Sequence, residues 1–120
     1  MKKLLFSALL ACLVSFAASA QTKAVVTTKI STPTVQCGMC KTAIETYLKR
    51  IDGVMSVNVN YRKKETTVKY MTDRTNEEMI KASIANAGYD ANEIKANEES
   101  YKALPKCCKK PEDGGGMKKQ

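Results

Sequence analysis

Between Lys23 and Ala96 the apolar residues change spacing from segment to segment, and the order of those changes leaves few folds open. Lys23 to Ser31 (KAVVTTKIS) is dense in β-branched residues and reads as a strand, ended by Pro33. Cys40, Ala43, Ile44, Tyr47, Leu48 and Ile51 then recur at helical spacing, and Asp52-Gly53 supplies the stop. Met55, Val57, Val59 and Tyr61 alternate with polar residues. Arg62-Lys63-Lys64 forms a polar turn, and Thr66, Val68 and Tyr70 alternate again, which predicts an antiparallel hairpin. Thr75 and Glu78 have capping-box spacing. Met79, Ile80, Ser83, Ile84 and Ala87 follow on one helical face, closed by Gly88. Tyr89 to Ala96 reads as a last strand anchored by Ala91 and Ile94. The expected fold is α+β: a ferredoxin-like βαββαβ sandwich, with a four-stranded antiparallel sheet and two helices on one face.

The segments on either side differ in kind. Residues 1–20 have a basic start (Lys2-Lys3), an apolar stretch from Leu4 to Ala17, and Ala18-Ser19-Ala20. That is the pattern of an export signal cut after Ala20, which predicts a periplasmic mature chain starting at Gln21. The stretch is short for a transmembrane helix, and no second apolar run of spanning length follows, so no membrane span is expected in the mature chain. Leu9-Leu10-Ala11-Cys12 faintly resembles a lipobox, which leaves lipoprotein processing at Cys12 as an alternative. Beyond Ala96, residues 97–120 are charged. Asn97 to Leu104 has the makings of a short helix, and the remainder, with Gly114-Gly115-Gly116, is expected to form a flexible basic tail.

Chemistry concentrates in cysteine. The chain has 5 Cys and no His at a formal net charge of +8. Cys12 falls in the signal, leaving Cys37 and Cys40 in one tight pair and Cys107 and Cys108 in another. Cys37 is placed in the loop after the first strand and Cys40 at the start of the first helix, so both sulfurs converge near a helix N-terminus. The dipole and free backbone donors there favour thiolate, and Lys41 adds positive charge. Two thiolates without imidazole select soft cations. Cu(I) comes first, because neutral Gln36 offers no hard oxygen ligand. Hg(II) is the second candidate, and Zn(II) or Cd(II) need further sulfurs. Met39 is either a thioether ligand or a solvent-facing docking residue.

For Cys107-Cys108 three readings stay open. They form an auxiliary metal site with thiols lowered by flanking lysines, or disulfides with each other or with Cys37 and Cys40, or a reactive tail. The other classes that Cys37 and Cys40 suit are thiol-disulfide oxidoreductase and structural disulfide. No nucleic-acid partner is expected despite the basic charge, because export and the lack of a basic aromatic stripe argue against it. Enzymatic catalysis is not expected, since no Ser/His or Cys/His pair is available and no glycine loop precedes a helix.

Three stretches together resemble the heavy-metal-associated domain family. They are Cys37-Gly38-Met39-Cys40 opening a helix, Ile51-Asp52-Gly53-Val54 before the second strand, and Ala87-Gly88-Tyr89-Asp90-Ala91 at the end of the second helix. The resemblance places the domain at residues 23–96. It implies a metal carrier that hands its ion to a metal-transporting membrane protein or another carrier by ligand exchange, with a metal-bridged dimer also open. It implies that Cys37 and Cys40 hold the metal and that Tyr89 neighbours the site. Val35 departs from the Met usual two residues before the first Cys, which bears on loop packing rather than ligand identity.

Overall fold

The computed structural model describes residues 24–115. Strand β1 (Val25–Ser31) leads through a loop to helix α1 (Gly38–Leu48), and the hairpin β2 (Val54–Asn60) and β3 (Glu65–Met71) leads to helix α2 (Glu77–Asn86). Beyond it lie a short helix α3 (Glu98–Lys102) and two 3-10 turns, Lys106–Cys108 and Pro111–Asp113. Among the described residues the sheet has three antiparallel strands in the order β1-β3-β2. The alternation in the sequence sets its inner face: Ile30, Val57, Val59, Val68 and Tyr70 are buried and join Ile44 and Leu48 of α1 and Ile80 and Ile84 of α2 in one cluster. Each such side chain taken out of water contributes roughly 1.5–3 kcal/mol. Beside the β2–β3 turn, buried Thr32 and Thr66 satisfy each other with hydroxyls 3.0 Å apart.

Several expected features are replaced, each for a local reason. Within residues 89–96, a tight turn at Ala91 to Ile94, closed by an isolated antiparallel bridge, stands in place of a fourth strand. Asn92 sits at φ 51°, which takes the chain out of the extended region. Its backbone N–H donates to Ser31 O at 2.9 Å and its Oδ1 accepts from Ser31 N at 2.7 Å, so one residue stands where a strand would pair with β1. In β2 a register shift between Val54 and Ser56 leaves Met55 facing solvent, against the alternation expected of it. The cap of α2 is Asn76, whose side chain accepts from Met79 N at 2.9 Å, rather than Thr75. Thr75 is buried instead, and its hydroxyl has no hydrogen-bond partner among the described residues. Of the expected helix faces, Tyr47 and Met79 lie exposed while Lys81 and Ala85 are buried.

The segment after Ala96, expected as a flexible tail, lies against the domain as far as it is described. Asn97 N donates to Ala85 O at 2.9 Å, and Asn97 caps α3 through Ser100 N. Gly88, at φ +103°, passes so close to α3 that a Cβ there would stand 3.1 Å from Ser100 O and 3.2 Å from the Leu104 side chain. The Tyr101 hydroxyl accepts from Lys110 N at 2.9 Å and donates to Asp113. These contacts turn the chain back and bring Lys106–Cys108 against α1.

Candidate metal centre

Helix α1 begins immediately after Cys37, which is its extended N-cap residue (φ −152°, ψ 178°). The Cys37 carbonyl accepts from Lys41 N at 3.1 Å, while its side chain caps nothing and is left to the site. Cys40 stands in the first helical turn, fully buried, with its Sγ 3.5 Å from that of Cys37. The loop before them is tied down on both sides. Asp90 N donates to Thr34 Oγ1 at 3.0 Å, Gln36 Nε2 donates to Thr34 O, and the Lys64 ammonium donates to Val35 O. Val35 is fully buried and so fills the loop's underside.

Cys108 joins this pair. It is 1 % exposed and is bonded to Cys40 in a disulfide, with Cα atoms 5.8 Å apart. Among the described residues the free cysteines are Cys37 and Cys107. The bridge therefore follows one of the three readings of the vicinal pair, and Cys37 and Cys40 are not bridged to each other. The sulfurs of Cys37, Cys40 and Cys108 lie within 4.8 Å of one another. The Cys107 sulfur is 4.0 Å from that of Cys108, and its thiol donates to Met39 Sδ at 3.5 Å. Burial, a hydrogen bond with Cys37 and the charge of Cys37 raise the Cys107 thiol, opposite to the lowering expected from its flanking lysines.

The other candidates divide. Tyr89 is 1 % exposed, and its hydroxyl lacks a hydrogen-bond partner among the described residues. Burial pushes its pKa up to about 12, helped by the charges of Cys37 and Cys107. Met39 is exposed, on the rim of an open groove of about 590 Å³ along α1 that Thr42, Ala43, Tyr47 and Arg50 also line. Lys41 turns away from the sulfurs: its ammonium donates to Val59 O at 2.9 Å and Asn58 Oδ1 at 3.1 Å, and pairs with Glu45 at 2.8 Å. Burial works to raise the Glu45 carboxyl, but Lys41 and the Val59 N–H together hold it below its ordinary value. This cluster fastens α1 to β2 below the site instead of placing charge at the thiols.

Comparison with known proteins follows the same lines. The sequence pattern of the family described as "Heavy-metal-associated domain" matches residues 29–90, just over half of the chain. The chain belongs to the heavy-metal-associated domain family. It is 38 % identical over 56 residues to the copper chaperone CopZ of Staphylococcus aureus, a match spanning 47 % of this chain and 82 % of that protein. Among solved structures it resembles a CopZ metallochaperone at 32 % identity and a TM-score of 0.54, over 55 % of this chain and 98 % of the other. It also resembles a copper-binding domain of HMA7, a P-type ATPase, at 28 % identity and a TM-score of 0.54, over 60 % and 96 % of the two chains.

The matched region of this heavy-metal-associated chain ends at residue 90, before the C-terminal cysteines. Their convergence on Cys37 and Cys40 is the part of the site that sequence reasoning left undecided. The signals for it were the even number of cysteines after Cys12 and the α3 sequence beside Gly88. The expected export signal and Cys12 lie outside the described residues. Among the described residues, no helix is long and apolar enough to cross a membrane.

Proposed function

We propose that this heavy-metal-associated protein carries Cu(I) as cargo, gripped between the thiolates of Cys37 and Cys40 and passed to an acceptor by ligand exchange. The observation that carries this reading is two buried sulfurs 3.5 Å apart at the start of α1, in a loop held rigid by Thr34, Asp90 and Lys64. Both ligands are soft, there is no histidine in the chain, and a two-sulfur grip suits a monovalent d¹⁰ ion. An acceptor thiolate enters, one donor sulfur leaves, and a second exchange completes the transfer. Exposed Met39 and the groove beside it on α1 give the acceptor a surface next to the ion. The metal-binding domain of a transport ATPase or another small carrier fits that role, in keeping with the relatives named above. The basic charge of the chain favours an acceptor with an acidic face. Hg(II) fits the same pair of sulfurs, and Zn(II) and Cd(II) follow behind it.

The site works in exported, periplasmic protein matured at Gln21, and there the Cys40–Cys108 disulfide must be reduced before Cys40 can take metal. The test is a competitive titration of phosphine-reduced protein with Cu(I), Hg(II) and Zn(II) against a chromophoric chelator. One tightly held Cu(I) per chain is expected, and the double substitution Cys37→Ser/Cys40→Ser should abolish it. Undiminished binding of thiophilic ions by that double variant overturns the reading. N-terminal sequencing of protein recovered from the periplasm checks the start at Gln21.

A further inference from the structure

Cys108 comes from a segment outside the family-matched region, yet it enters the innermost part of the sulfur cluster. We propose that in the reduced protein Cys108 is a third thiolate ligand to the carried Cu(I), so that this chain holds its cargo in a three-sulfur site. The inference rests on the reading of Cys37 and Cys40 as ligands given above.

The geometry supports it directly. Sulfurs arranged trigonally at about 2.3 Å from one ion stand about 4 Å from each other. The sulfurs of Cys37, Cys40 and Cys108 all lie within 4.8 Å of one another, and those of Cys37 and Cys40 are 3.5 Å apart; Cys40 and Cys108, bonded to each other here, separate toward that spacing once the bond is reduced. All three are at most 4 % exposed, so an ion among them is shielded from water and from small competing thiols. The arrival of Cys108 is built into the fold. Gly88, at φ +103°, lets α3 pack so close that an added Cβ would crowd Ser100 O and the Leu104 side chain, Asn97 is bonded to Ala85, Tyr101 clamps Lys110, and Cys108 N donates to Pro105 O at 2.8 Å. Cys107 is the poorer candidate. It is more exposed, its thiol is engaged with Met39, and it falls outside the group of three.

The disulfide is the metal-free counterpart of the same arrangement. A dithiol reductant supplies two electrons, the Cys40–Cys108 bond breaks, and each sulfur takes up one proton. Cu(I) then displaces the protons of three thiols without changing its own oxidation state, leaving a site of net charge −2. That charge lies at the N-terminus of α1 and in a segment carrying Lys106, Lys109 and Lys110, both of which favour it. Release to an acceptor then requires three sulfur exchanges in place of two, so the segment acts as a retaining clasp.

The experiment is X-ray absorption at the copper edge on the monomeric mature chain from Gln21 to Gln120, which lacks Cys12, reduced with a phosphine and loaded with one equivalent of Cu(I). Wild type and Cys107→Ser should each show three sulfur neighbours and Cys108→Ser two, with unchanged far-UV circular dichroism. Cys108→Ser should also surrender Cu(I) to a chelator at least about tenfold more readily, since even an outer-sphere partner of a metal ligand is worth that much. Without any variant, loading wild type with Cu(I) should protect Cys37, Cys40 and Cys108 from alkylation while Cys107 still reacts. Two sulfurs in wild type, three in Cys108→Ser, or an alkylated Cys108 in the loaded protein each overturns the proposal while leaving the two-cysteine carrier standing. Failure of wild type to take up Cu(I) overturns both.

Discussion

Reducing the Cys40–Cys108 disulfide should cost this small domain much of its stability. The bridge joins positions 68 apart in sequence, so it closes a loop spanning most of the described chain. Loop-closure entropy for that length is about −15 cal/mol/K, or about 4 kcal/mol at 25 °C. A domain of this size shifts its melting temperature by roughly 4–8 °C per kcal/mol, so the reduced protein should melt roughly 15–30 °C lower. The assay is a pair of calorimetric scans on metal-free protein, with and without a phosphine reductant, repeated on Cys108→Ser. The variant should melt with the reduced wild type and ignore the phosphine. Cu(I) bound to the reduced protein at a thousandfold excess over its dissociation constant would return about 4 kcal/mol, enough to offset the lost bridge. Equal melting of oxidised and reduced wild type would refute the reasoning, because it would mean that the bridge does not constrain the unfolded chain.

Gly88→Ala should detach α3, because at φ +103° a side chain is strained and would press on Ser100 and Leu104. About 1–2 kcal/mol of strain is expected, together with faster hydrogen exchange at the Asn97 amide, which bonds to Ala85 in the native fold. Glu45 has a folded pKa below its ordinary value of 4.5, so its contribution is present above that pH and is lost as pH falls through the lower folded value. Urea midpoints measured from pH 6 to 3 should therefore decline less steeply for Glu45→Gln than for wild type.

What could be read in the sequence was what local pattern controls. The helical spacing of Cys40, Ile44 and Leu48 and the alternation of Val57 with Val59 and of Val68 with Tyr70 specify buried faces, and these residues are buried. Gly53 was only partly legible: Asp52-Gly53 was read as the helix stop, but α1 ends at Leu48, and Gly53 instead turns the chain into β2 at φ +96°, where an added Cβ would stand 2.6 Å from Arg74 Cβ. The errors came where one residue's conformation overrode the average. Asn92 adopts a left-handed backbone that no periodicity signals, and the expected fourth strand is lost with it. Met55 was misplaced by a single-residue bulge, which reverses alternation without altering composition. Lys41 was expected to serve the thiols because it is adjacent in sequence, but the helix carries its side chain round to Glu45 and β2. The position of Cys108 depends on contacts across the fold, at Gly88, Ala85 and Tyr101, and such contacts leave little trace in a segment rich in lysine and glycine.

Among the described residues, the replacement of a fourth strand by the Asn92 turn leaves one margin of β1 without a strand partner. Among the described residues β1 pairs with β3 along its whole length on one side, while on the other Asn92 covers it at Ser31 alone. Val25 and Val26 on that strand are half-exposed. Lys29 is the charged residue set into the strand, of the kind that discourages a neighbouring chain from zipping on. Replacing it with valine would turn the margin into a template for chain-to-chain pairing, and concentrated solutions of that variant should scatter light where the natural sequence stays clear.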